Sequence, residues 1–280
     1  MSHVRLEHIT DYSICKRPAR GSVFDTGVFA NFVPYKNGYI GASRVGSMTH
    51  DDRVHVTEYD KSFKVLFSHE VTKGEDPRVF IYNNTPHCIT WDPHISELGS
   101  RVFDYKLINL ISGEVKILSI DNISETKVEI LGKNWIPIIK EGVLYFIITI
   151  DPQLCIVRYF PDTNSCKWVT PYELVKGGLD ITISRGGTSL IYCREKKCFI
   201  GLGHRTYDCH NHSAFLYTVS RNFDRVHIGE DIMTNIDRGI SDPLSIFLEN
   251  GKIYTCIAHC PIQLGDTCSS WSSLYRLVLE

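Results

Sequence analysis

Residues Glu141–Ile150, EGVLYFIITI, hold the pattern that decides the fold: a polar two-residue turn, then an apolar strand of Val, Leu, Tyr, Phe and Ile. The same pattern recurs at Asn37-Gly38, Asn83-Asn84, Lys196-Lys197 and Asn250-Gly251. Counted from the second residue of each turn, the intervals are 46, 58, 55 and 54 residues. Five turns in 280 residues imply a repeat of about 56 residues, somewhat longer than the roughly 40–50 residues of a four-stranded propeller blade. Loop insertions account for the excess, and the expected fold class is all-β, a five-bladed β-propeller occupying residues 1–280 as a single catalytic domain. A two-sheet sandwich is the structural competitor, because hairpin turns recur in any all-β chain.

The segments around these turns agree. YIGASRV (Tyr39–Val45), RVHVTEY (Arg53–Tyr59), PRVFIY (Pro77–Tyr82), Val102–Ile111, Cys155–Phe160, Ala214–Ser220 and Lys252–Ala258 alternate with period two and are bounded by Gly, Asn, Asp or Pro. Only Pro171–Lys176 and Asp231–Asp237 have a composition that admits a helical turn. A βαβ architecture needs crossover helices, which the sequence lacks.

Composition narrows the function classes. Thirty Lys+Arg against 32 Asp+Glu leave a net charge of -2, which argues against a nucleic-acid-binding chain. No apolar run approaches the roughly 20 residues that span a bilayer. Met1–Arg20 has no apolar segment or small-residue cleavage site of the kind an export signal carries, so a cytoplasmic location is expected, with the ten cysteines reduced. Cys193-x4-Cys198 and Cys256-x3-Cys260 contain no CxxC pair, and buried inert thiols are expected. His204, Cys209, His210 and His212 lie close in sequence, but their spacing fits no known zinc motif, and no metal is expected.

The chemistry centres on KGEDPRVF, Lys73–Phe80. Pro77 stiffens the backbone after Asp76. Strand alternation places Asp76 and Arg78 on one face and turns Glu75 away. An acid beside a guanidinium at a funnel mouth suits a general acid or a binder of sugar hydroxyls; a surface turn with an ion pair is the plain alternative. Trp135 is the best-placed aromatic for stacking on an apolar sugar face.

GEDPRVF resembles the signature of the β-mannoside phosphorylases, glycoside hydrolase family 130, and of the related β-1,2-mannosyltransferase/phosphorylases. Further segments follow in the same order: FANFVP (Phe29–Pro34, with Phe32 where that family usually has Pro), YIGASRV, GKNWIPI (Gly132–Ile138), SRGGTS (Ser184–Ser189) and GLGHRTYDCHNH (Gly201–His212). The resemblance covers residues 31–260 and independently implies a five-bladed propeller. It implies Asp76 as the catalytic acid, protonating the glycosidic oxygen through a sugar hydroxyl, and inorganic phosphate as the nucleophile, so that one carboxylate suffices where glycosidases use two. It implies Asn31 and Arg44 on the mannose hydroxyls and Asn134 between sugar and phosphate. Lys133, Arg185, His204 and Arg205 would form the phosphate pocket, since a dianion needs convergent cations. Asp242, in ISDPLSIF, stands where relatives often have Glu.

Each assignment has a plainer counterpart. Arg44 has a plain use in pairing with Asp51 or Asp52, Lys133-Asn134 suits a simple turn, and Gly186-Gly187 a loop needing φ > 0. The expected function is therefore β-mannosyl transfer, by reversible phosphorolysis with mannose 1-phosphate or from GDP-mannose, on a mannose-containing oligosaccharide. No cofactor beyond phosphate or a sugar phosphate is expected, no nucleic acid and no membrane, with homo-oligomerisation open. The alternatives are a β-mannoside hydrolase on the same fold, its second carboxylate drawn from Asp180, Asp208 or Asp242, and a non-catalytic glycan-binding propeller.

Overall fold

In the computed structural model the chain is built from strands, and the structure describes residues 4–17, 28–46, 52–95, 101–120, 134–151, 153–170, 184–208, 211–234, 236, 239–261 and 268–279. The strands fall into five antiparallel blades. Blade 1 runs β2 (Val28–Tyr35), β3 (Gly38–Val45), β4 (Arg53–Tyr59) and β5 (Val65–Lys73). Blade 2 runs β6 (Glu75–Tyr82), β7 (Thr85–Ile95), β8 (Arg101–Asn109) and β9 (Val115–Ile120). Blade 3 follows with β10 (Ile136–Lys140), β11 (Val143–Thr149), β12 (Cys155–Phe160) and β13 (Ser165–Trp168).

Blade 4 has a broken inner strand, β14 (Ser184–Arg185) and β15 (Ile191–Cys193), followed by β16 (Cys198–Asp208), β17 (Asn211–Ser220) and β18 (Val226–Ile232). Blade 5 takes three strands from the C-terminal part, β19 (Gly239–Glu249), β20 (Lys252–Pro261) and β21 (Cys268–Leu279). Its fourth is β1 (Val4–Arg17), which pairs antiparallel with β21 from Val4↔Leu279 to Arg17↔Cys268. The first strand thus completes the last blade and closes the ring. Pairing the two ends of the described chain in one blade locks the ring, and β1 and β5 remain as outer edges.

The five turns of the repeat fall one in each blade, each joining the innermost strand to the second. Asn83-Asn84, Glu141-Gly142 and Asn250-Gly251 have positive φ at both central residues. That is the two-residue hairpin geometry whose twist matches the strands, and it explains the Asn and Gly at these positions. In blade 1 the loop is Lys36-Asn37, one residue earlier than the sequence suggested, because Tyr35 pairs with Gly38. In blade 4 it lengthens to 194–197, since Cys193 pairs with Cys198. Asp231–Asp237 forms no helical turn where described: Asp231 and Ile232 end β18. Pro171–Lys176 lies outside the described residues.

The core sits between blades. Phe80, Trp91, Tyr105, Trp135, Phe146 and Val157 join blades 2 and 3. Ile136, Ile147, Phe199, Phe215 and Tyr217 join blades 3 and 4. Phe32, Tyr39, Val79, Cys88, Phe247 and Leu274 bring blades 1, 2 and 5 together. Cys88, Cys155, Cys166, Cys193, Cys198, Cys256 and Cys260 are free thiols. No helix among the described residues is long and apolar enough to cross a membrane.

Three inner strands carry a bulge near their start. Between Val28 and Asn31, and between Glu75 and Arg78, three steps along the inner strand face two on its partner. The first bulged residues, Phe29 (φ 54°) and Asp76 (φ 46°), are left-handed. Blade 5 shifts register between Pro243 and Ser245. Such bulges re-aim side chains at one rim of the ring.

The closing strand makes a testable prediction. Val4 and Leu6 pack on the blade 4–blade 5 core, and the Tyr12 hydroxyl donates to the Ala30 carbonyl at 2.6 Å. A chain lacking residues 1–17 loses both and exposes the edge of β21. Its Tm is expected to fall by about 10 °C or more, with recovery when a peptide of residues 4–17 is added. Circular dichroism melts check this; an unchanged Tm would show that closure contributes nothing.

Candidate functional site

Arg44 ends β3 and is 5 % exposed. Its Nη1 donates to Asp76 Oδ1 at 2.8 Å and its Nη2 to Asp52 Oδ2 at 2.6 Å, while Glu75 Oε1 lies 3.7 Å from Nη2. Three carboxylates from two blades therefore share one buried guanidinium. Burial works against the Arg44 charge, but Asp76, Asp52 and Glu75 outweigh it and raise its pKa further. This arrangement corrects the strand-alternation reading of KGEDPRVF. The bulge and the left-handed Asp76 bring Glu75 and Asp76 both toward Arg44, where regular alternation would turn Glu75 away. A non-glycine residue at positive φ stores strain and occurs preferentially at functional sites.

Arg78, two residues on from Asp76, is fully buried. Its Nη2 donates to Asn134 Oδ1 at 3.0 Å, and its Nη1 to the carbonyl of Pro243. One guanidinium thus ties blade 2 to blades 3 and 5. Burial pulls its pKa down, and Asp242 and Asp76, acting on it together, oppose that. These contacts make Arg78 a structural bridge, where the sequence suggested a substrate contact. Asn134 is left-handed (φ 71°) and is engaged by Arg78. A Cβ on Gly186 would collide with the Asn134 carbonyl oxygen, so the RGG segment needs its glycine for close approach of blade 4 to blade 3.

A second group lies at the border of blades 4 and 5. Asp242 Oδ1 accepts from His212 Nδ1 at 2.8 Å and lies 3.9 Å from His204 Nδ1. Burial opposes the charge of Asp242, but His204, His212 and Arg78 outweigh it and hold its carboxyl below the usual range. His204 is pulled down to about 4, first by burial and further by His212, Arg78 and Arg185, against the pull of Asp242. It is neutral at pH 7. His259 is nearby, hydrogen-bonded to Tyr275 Oη at 2.8 Å and to Ser241 Oγ at 3.2 Å; its pKa also falls to about 4, chiefly through burial.

The remaining candidates divide. Asn31 is engaged wholly by backbone. Its Nδ2 donates to the carbonyls of Pro77 (2.8 Å), Phe29 (3.1 Å) and Ala42 (3.3 Å), and its Oδ1 accepts from the Val79 amide at 2.8 Å. It staples blade 1 to blade 2. Trp135 is completely buried and stacks on Tyr105 at 3.7 Å, so it is an inter-blade packing residue and not a sugar platform. Arg205 points away from His204, its neighbour on β16, because successive strand residues face opposite sides. It pairs with Asp231, donates to the Gly229 carbonyl at 2.7 Å and lies over the Phe215 ring. Arg185 pairs in register with His204, and its charge acts on that imidazole. Lys133 and Asp180 lie outside the described residues, as does the side chain of Asp208.

Asp52 and Glu75 are residues here that sequence reasoning passed over, and His212 was weighed there only as a zinc ligand and set aside. Asp52 entered only as a plain partner for Arg44, and Glu75 was turned outward by alternation. No linear signal places His212 beside a carboxylate 30 residues away.

No family model matches the sequence, and no curated protein matches it. Solved structures do match in fold. The GH62 α-L-arabinofuranosidase catalytic domain of Coprinopsis cinerea superposes with a TM-score of 0.60 at 8 % identity over 96 % of this chain and 98 % of that one. An α-L-arabinofuranosidase from Lactobacillus brevis gives 0.59 at 9 % identity, over 89 % of this chain and 90 % of that one. A xylan β-1,4-xylosidase from Bacillus halodurans C-125 gives 0.57 at 12 % identity, over 92 % of this chain. The chain spans about half of that xylosidase, 53 %. At these identities the likeness is one of fold, the β-propeller.

The buried imidazoles predict an acid-sensitive fold. His204 and His259 titrate near 4 in the folded state and near 6.5 in the unfolded chain. Between those values the unfolded state binds more protons, so stability falls as pH drops from about 6.5 to 4, by on the order of 3 kcal/mol per histidine. Urea unfolding at pH 7 and pH 4.5 measures it, and His259→Gln should reduce the slope. A flat profile would show that the imidazoles are not held neutral.

Proposed function

We propose that the chain is an enzyme acting on glycosidic bonds, and that it cleaves them by hydrolysis at the rim where Asp76, Glu75 and Asp52 share Arg44. The observation that carries this reading is the gathering of three carboxylates on one buried guanidinium, with Asp76 held in a left-handed bulge. Glycosidic hydrolysis uses two carboxyl groups, one to protonate the leaving oxygen and one to assist water or attack the anomeric carbon. Asp76, bonded directly to Arg44, and Glu75, held less closely, are the two carboxyl groups. Asp52 is the positioning residue that fixes Arg44 from the other side. The likeness in fold to structures named as arabinofuranosidases and a xylosidase supports a carbohydrate substrate.

Mannosyl transfer to phosphate, the finer reading drawn from the motifs, has weaker physical support. A phosphate pocket needs convergent positive charge. Within the described part of the expected set, His204 is neutral and faces the Asp242 carboxylate, and Arg205 is paired with Asp231. Arg185 remains, and a phosphate dianion beside it would meet the Asp242 charge. Water meets no such repulsion.

Nitrophenyl β-mannoside, β-xyloside and α-L-arabinofuranoside, each incubated with and without inorganic phosphate, test the reading. Cleavage of at least one without phosphate is expected, with kcat lowered by about 10²–10⁴-fold in Asp76→Asn. Cleavage that requires phosphate and yields a sugar 1-phosphate would replace hydrolysis by phosphorolysis. Binding of oligosaccharide without turnover of any substrate would leave a glycan-binding propeller.

A further inference from the structure

We propose that His204, His212 and Asp242 bind a divalent first-row transition-metal ion between blades 4 and 5. One ligand atom from each residue lies within 4.8 Å of the other two. Both imidazoles present Nδ1 to the same carboxylate oxygen, and their rings stack with centroids 5.1 Å apart and planes 21° from parallel. His204 is 1 % exposed, and its Nδ1 makes no hydrogen bond. A buried polar atom without a partner is costly and rare, and a coordinated cation supplies the missing partner. His212 and Asp242 already satisfy each other, so the unpartnered His204 nitrogen marks a ligand set, since a finished hydrogen-bond network would leave no buried nitrogen over.

The backbone preorganises these ligands. His204 and His212 lie on the paired strands β16 and β17, where Ala214 opposes His204 and Thr206 opposes His212. The two histidines are thus diagonal neighbours on one face, within reach of each other. Asp242 comes from β19, and that strand meets β17 through the parallel bridge His212↔Ile240. The metal would therefore join two blades at a point where their backbones already touch. Two imidazoles and one carboxylate suit zinc, cobalt, iron(II) or manganese; calcium and magnesium prefer all-oxygen sets. Three protein ligands leave positions for water. A cleft of about 480 Å³, lined by His212, Thr234, Ser241 and Asp231 among others, offers a path from solvent. The nearby Arg78 charge opposes a second cation, which sets moderate rather than extreme affinity as the expectation.

The proposal is independent of the glycosidase reading, and its test uses no substrate. The full chain is stripped with a chelator and titrated with Co²⁺, then with Zn²⁺. One equivalent of Co²⁺ should produce visible d–d absorption that Zn²⁺ abolishes, and Zn²⁺ should raise the Tm. His212→Ala, a change at a partly exposed position that spares the core, should weaken Co²⁺ binding by about ten-fold or more. Asp242→Asn should do the same wherever it folds. Absence of stoichiometric Co²⁺ binding by the wild type would overturn the proposal, as would wild-type affinity in His212→Ala. Stabilisation by Ca²⁺ but not by Zn²⁺ would overturn the metal class.

Discussion

The guanidinium of Arg44 is the contact on which the rim of this propeller depends. It lies between a carboxylate of its own blade, Asp52, and two of the next, Glu75 and Asp76. Taken alone, those carboxylates would repel one another in a poorly solvated place. Removing one partner from such a buried group typically costs about 3–5 kcal/mol, because the opposite charge is left uncompensated. Asn31 reinforces the same junction with neutral hydrogen bonds, reaching from β2 to the Pro77 carbonyl and the Val79 amide on β6. Charge and amide together hold the start of the blade 2 inner strand in its bulged, left-handed form.

That local form recurs. The bulges in β2 and β6 occupy equivalent places in successive blades, and a register shift recurs in β19. In β6 the bulge turns Glu75 toward Arg44, where regular pleating would turn it away. Arg78 then crosses from blade 2 to the Pro243 carbonyl and to Asn134, fixing three blades at one level. It stands between the acidic group around Arg44 and the His–Asp group of blades 4 and 5, and its charge acts on both Asp76 and Asp242. The two groups have different chemistry. One gathers carboxylates on a cation; the other sets two imidazoles beside a carboxylate.

The sequence by itself determined the all-strand character and the number of blades. Hairpin turns of the Asn-Gly kind need positive φ, and few residues tolerate it, so their spacing is written in the chain. Asp76 was singled out from KGEDPRVF itself and Arg44 only through the resemblance of YIGASRV to a family motif; the structure places the two in contact. β1 was not read as a strand, because VRLEHITDYSICKR mixes charges into its alternation and its partner lies at the other end of the chain. Tertiary structure alone decided which side chains meet. Alternation could not reveal that a bulge folds Glu75 back onto Arg44, or that Trp135 is consumed between blades by Tyr105. The physical reason is the ring itself: closure brings His212 and Asp242, or Arg78 and Pro243, together across long stretches of chain, and no local periodicity carries that information.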